Sequence, residues 1–146
     1  MIQQVHLNYL AVLVAAIVNH AIGFMWYGPL FGKQWISLMN FDKKKIAEAQ
    51  KKGMKGMWKT ILASFIASLA IAWVLAHSIV FAKAYLGISA VAAGIMTGFM
   101  TWLGFLATTQ LNIVLWEGKP LKLYFLNTLY YFVSLIVMGM ILAVWV

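Results

Sequence analysis

Six polar side chains sit at places where a largely apolar chain gives them something to do: Asn19, His20, Gln110, Asn112, Asn127 and Glu117. All but Glu117 fall inside apolar runs, where a polar group is costly unless it is paired or faces water. His20 is the titratable group set well inside such a run, and three roles are open to it. With Glu117 at the same end of its span it could relay a proton or act as a base toward a ligand. As a metal ligand it lacks company, because His6 and His77 belong to the opposite end and no Cys or His recurs at i+3 or i+4. As a neutral imidazole bonded to Gln110 or to a backbone carbonyl it would tie two helices together. Glu117 itself either caps its helix end and pairs with Lys119 or Lys122, or serves the relay.

What is missing narrows the chemistry. There is no cysteine, so thiol nucleophiles, disulfides and thiolate metal sites drop out. No paired carboxylates, no serine with a nearby histidine and acid, and no phosphate-cradling glycine loop can be read, so an enzyme is unsupported and no cofactor or metal is implied. All eleven basic residues are lysines, which removes the bidentate guanidinium grip on phosphates. The net charge of +8 is not a nucleic-acid signal, since the lysines lie in loops beside apolar runs, where anionic lipid and topology account for them.

The elements that must position these residues are membrane spans. Hydrophobic residues make up 64% of the chain, charged residues only 10%, and mean hydropathy is +0.90. Soluble domains carry about 25% charged residues. Leu7 to Trp26 has no charged residue and matches the roughly 30 Å core of a bilayer at about 1.5 Å per residue. It lacks a basic flank and a small-residue cleavage site, so it is expected to stay as a helix. Further apolar runs predict an all-α, integral membrane four-helix bundle in one domain, 1–146. Its helices fall at about 7–27, 58–81, 87–116 and 122–146, and a loop at about 32–57 separates the first two. The third run is long enough to need a tilt or a break, with Gly94, Gly98 and Gly104 as candidates. Pro29 and Pro120 fall between spans, so no proline kink is predicted.

Lysine counts orient the bundle. The first loop carries Lys33, Lys43, Lys44, Lys45, Lys51, Lys52, Lys55 and Lys59, the third carries Lys119 and Lys122, and only Lys83 stands opposite. The positive-inside rule puts the lysine-rich loops in the cytoplasm and both termini outside. Within the first loop Asp42 can cap a helix from about Lys43 to Gly53. Its thin apolar face of Ile46, Ala49, Gly53, Met54 and Met57 suits anionic lipid headgroups, or it is a solvated linker.

Interfacial aromatics and helix breakers close the odd-numbered spans: Trp26, Tyr27, Gly28 and Pro29 with Trp35 nearby, then Trp116-Glu117-Gly118-Lys119-Pro120. Laid together, the two closures suggest two like-oriented hairpins, by duplication or by convergence. The runs Leu7-Asn8-Tyr9-Leu10-Ala11-Val12-Leu13-Val14-Ala15-Ala16, Trp26-Tyr27-Gly28-Pro29-Leu30-Phe31-Gly32-Lys33 with Trp35, and Glu117-Gly118-Lys119-Pro120-Leu121, with Gly139 and Trp145, resemble the domain of unknown function 1761 family. The resemblance implies a small four-helix protein of the bacterial inner membrane and brings no activity with it.

Small residues recur at helical spacing: Ala11, Ala15, Asn19 and Gly23, then Ser64, Ser68, Ala72 and Ala76, then Gly94 and Gly98. Such stripes let helices approach, within the chain or in a homo-oligomer, a dimer or trimer. Polar residues gather within roughly 15 Å of the lysine-rich interface, at Asn19, His20, Ser64, Gln110, Asn112, Asn127 and Tyr130. The sequence therefore leads to a protein that binds or moves a small molecule, ion or lipid through an inward-facing polar cluster. The alternative is a structural or regulatory membrane protein whose cluster only packs helices.

Overall fold

Spans of this length and apolarity have no hydrogen-bonding solvent inside a bilayer, so each must satisfy its backbone internally, and helices do so. The computed structural model describes residues 6–145, leaving aside the side chain of Met54; Val146, expected at the end of the fourth helix, lies outside the described residues. Helix α1 runs Tyr9–Met25 and is started by Asn8, whose Oδ1 accepts from the amides of Leu10 and Ala11. A π-turn, Trp26–Leu30, follows, then α2, Gly32–Met39, α3, Lys43–Leu86, and α4, Ala90–Thr101. A second π-turn, Trp102–Ala107, leads to α5, Thr108–Leu115, and α6, Leu121–Val144, closes the chain. Four stretches are long and apolar enough to cross a membrane: Tyr9–Leu30, Lys55–Leu86, Ala90–Leu115 and Leu121–Val144.

Several boundaries differ from the sequence expectation for identifiable reasons. Pro29 lies inside the first π-turn, correcting the expectation that no helix carries a proline distortion. Its ring removes a donor, Gly28 leaves helical geometry, and Phe31 N–H donates to the Trp26 carbonyl at 2.9 Å. The first loop holds a second helix, α2, which ends on Asn40 in the left-handed conformation. Asp42 caps α3 as expected, its carboxylate accepting from Lys44 N–H at 3.0 Å. Gly53 at φ 52° then breaks the helical run, a backbone angle that glycine adopts without a Cβ penalty. The second span continues to Leu86 rather than stopping near residue 81, so Lys83 belongs to its last turn. Of the three candidate glycines in the third span, Gly104 lies in the second π-turn, where α-helical bonding gives way without the chain leaving helical geometry at either end, whereas Gly94 and Gly98 stay in α4.

The packed core occupies the half of the bundle opposite the lysine-rich loops. Ala11, Ala15 and Ala16 of α1, Ala72, Leu75, Ala76 and Ile79 of α3, Ala93 of α4, and Met138 and Leu142 of α6 are buried there. Alanine and glycine permit this because helices in lipid associate by close van der Waals fit. Gly94 and Gly98 lie directly against Gly139 and Leu135 of α6; a Cβ on Gly98 would sit 2.7 Å from the Leu135 carbonyl oxygen. These glycines join α4 to α6 within one chain.

Candidate binding cavity

Toward the lysine-rich end the small residues give way to polar and aromatic ones, and the four spans part around a cavity of about 810 Å³. That volume falls in the about 300–1,000 Å³ range of small-molecule sites. Each span contributes. Asn19, His20 and Gly23 come from α1, Thr60, Ser64 and Ser68 from α3, Gln110 from α5, and Asn127 and Tyr130 from α6.

Some of these polar groups are already committed to one another. Asn19 is buried, 7% exposed, and its amide donates to Ser68 Oγ at 2.8 Å while its Oδ1 accepts from Tyr130 OH at 3.2 Å. Ser68 in turn donates to the Ser64 carbonyl at 3.0 Å. This chain of bonds ties α1 to α3 and α6 and makes Asn19 a structural residue at the cavity floor. Tyr27 OH donates to Asn127 Oδ1 at 3.0 Å, and its ring meets Tyr130 edge to face at 5.1 Å and Trp35 at 5.5 Å. The Trp-Tyr-Gly-Pro block thus docks α2 and the first π-turn onto α6.

Others have no such partner. His20 stands edge-on to the rings of Phe24 and Phe65, at 5.2 and 5.7 Å, and no hydrogen bond ties it to Gln110 or to a backbone carbonyl among the described residues. Its contact with α3 is ring packing on Phe65 and not the expected hydrogen-bonded tie. Gln110 Oε1 is buried and unpaired, an acceptor left for something the chain does not supply. Glu117 and Lys119 line the cavity toward its mouth, and no ion pair joins Glu117 to Lys119 or Lys122 among the described residues. Asn112, expected in the same cluster, is exposed and does not line the cavity. The helical period explains it: Gln110 and Ile113 share the cavity face, and Asn112 lies about 160° round the helix from Gln110. Among the described residues no three His, Cys, Asp or Glu side chains come together as a metal site would need.

The repeat anticipated between the two span ends takes another form. Trp116 is 84% exposed, whereas Trp26 is half-buried and donates from Nε1 to the Leu126 carbonyl at 3.1 Å. Its counterpart is Trp102, which opens the second π-turn as Trp102-Leu103-Gly104 and donates to the Thr128 carbonyl at 2.8 Å. Both indoles use the second lone pair of a carbonyl two residues apart on α6. Trp-x-Gly occurs at both places in the sequence, a signal that an aligned helix end obscured.

A family model described as "Protein of unknown function (DUF1761)" matches residues 10–143 of the chain. No curated protein and no solved structure matches it.

Proposed function

The chain belongs to the DUF1761 family, and from that premise we propose that it is a multi-pass protein of the bacterial cytoplasmic membrane that binds or moves a small molecule, ion or lipid through the cavity at its lysine-rich end. One observation carries the reading: four spans part around polar side chains of which His20 and the buried Gln110 Oε1 have no internal hydrogen-bond partner. A bundle that used its polarity for packing alone would satisfy the Gln110 acceptor, since a buried unpaired acceptor costs about 1–3 kcal/mol. The distribution of ten loop lysines against Lys83 supports placing the cavity mouth in the cytoplasm and both termini outside. The saturated Asn19 supports the second reading, a scaffold, for that residue alone.

The absence of cysteine makes the test clean. Single cysteines at Thr60 and Ser64, which line the cavity, and at Leu129, on the outward face of α6, are exposed to a charged, membrane-impermeant thiol reagent in sealed vesicles of known sidedness. Thr60→Cys and Ser64→Cys should react from the cytoplasmic side, and Leu129→Cys should not. Silence at both cavity positions from either side would leave the scaffold reading, and reaction from the outside alone would reverse the orientation.

A further inference from the structure

The cavity does not end at its polar floor. An apolar groove of about 290 Å³ continues from it between α3, the second π-turn and α6, and Ile71 and Tyr131 belong to the walls of both. Apart from Thr101 and Tyr131 the groove is aliphatic, lined by Ala70, Val74, Leu75, Leu106 and Leu135. Along α3 the joined space extends from Met57 to Leu75, about 27 Å at 1.5 Å per residue. Its character changes in one direction. Glu117, Lys119 and Thr60 mark the mouth, Gln110 and His20 the middle, and aliphatic side chains the far end.

Building on the cavity reading above, we propose that this joined space holds one membrane lipid with an anionic, hydroxyl-bearing headgroup, the headgroup in the cavity and one alkyl chain in the groove. A compact polar solute would occupy the near part and leave the groove to bulk lipid. An alkyl chain fills the groove from within the membrane. The charge of the headgroup follows from its surroundings: Lys119 lines the cavity beside Glu117, Lys122 is a turn away, and α2 with the first part of α3, from Lys33 to Lys59, sets eight lysines against Asp42 and Glu48. The hydroxyl follows from Gln110 Oε1, which accepts only and so needs a donor on the ligand.

Phosphatidylglycerol has both features; phosphatidylcholine has neither a net charge nor a donor. Native mass spectrometry of the chain in nanodiscs with equal amounts of the two should show one phosphatidylglycerol retained per chain, saturably, at least tenfold over phosphatidylcholine. Lys119→Gln should cut that preference several-fold. Val74→Trp, at a groove residue 54% exposed in the bundle, should abolish retention of either lipid with helix content unchanged. Ala70→Leu serves as the milder filling should the tryptophan variant fail to fold. Glycerol 3-phosphate alone should not compete at equal concentration, because it lacks the chain. Lipid counts that rise without saturation in the bulk ratio, or retention indifferent to both groove fillings, would overturn the lipid assignment. If Ser64→Cys still reacts with the aqueous reagent in that case, the cavity reading stands and only the lipid fails; if it does not react, both fail. Added phosphatidylglycerol should also protect Ser64→Cys from the reagent at least several-fold.

Discussion

Gly94 of α4 and Gly139 of α6 meet backbone to backbone, so that a Cβ on either would fall on the carbonyl oxygen of the other. Nothing flexible stands in the way to yield, because the obstacle is main chain on both sides. Gly94→Leu should therefore destabilise the bundle by at least the about 1–3 kcal/mol of ordinary overpacking. Gly104→Ala is the matched control, since a Cβ there meets nothing within 4 Å, and it should stay within about 0.5 kcal/mol. Thermal unfolding in mild detergent followed by circular dichroism separates the two. Equal melting points would show that α4 and α6 do not pack through this contact.

That contact was half legible from the amino acids. Gly94-xxx-Gly98 announces a close-packing face, but which helix meets it depends on Gly139 lying at the matching depth of an antiparallel span, which spacing alone does not assign. The four spans and the Asp42 cap follow directly from apolar run length and from breaker residues, whereas run length alone leaves Gly94, Gly98 and Gly104 equal candidates for the irregular turn of the third span. Asn112 lies off the cavity because similar depth in a span does not make a shared face when one helical position is worth about 100°. The Trp102 bond to Thr128 O was invisible for a different reason: the acceptor is a main-chain carbonyl, identical in every residue type.

Both indoles should prove structural. Trp26→Phe and Trp102→Phe keep most of the ring and lose only the bond to α6, so each should lower stability by about 0.6–2 kcal/mol, the range of single interhelical hydrogen bonds in membranes. The double variant should lose the sum within about 0.5 kcal/mol if the carbonyls act independently. A cost near zero for both single variants would remove the indole bonds from the account of how the odd spans hold α6.

Asn19 and Ser68 form the buried link between α1 and α3, and the pair is suited to a double-mutant cycle. Ser68→Ala leaves the Asn19 amide without an acceptor and should cost about 1–3 kcal/mol, and Asn19→Leu removes that donor while also stranding Tyr130 OH. The double variant should cost less than the sum, by about 0.5–1.5 kcal/mol of coupling, measured by thermal unfolding. Strict additivity would mean that the two side chains do not depend on each other.

Gln110 is where stability and binding should part. Its buried Oε1 has no hydrogen-bond partner in the bundle, so Gln110→Leu removes an unsatisfied acceptor and leaves a side chain of similar reach among apolar neighbours such as Ile113. The variant should unfold later than the parent chain, by up to about 1–3 kcal/mol, because the desolvation penalty of the acceptor disappears. His20→Leu should move stability by less than about 0.5 kcal/mol, since only ring contacts with Phe24 and Phe65 are exchanged. Both variants should nonetheless lose retained ligand in native mass spectrometry, the pattern expected when a protein keeps an unfavourable polar group for function. Thermal unfolding of the two variants beside Ser68→Ala decides it. If Gln110→Leu and His20→Leu instead destabilise the bundle as much as Ser68→Ala does, the cavity's polar groups are packing residues and the binding reading is wrong.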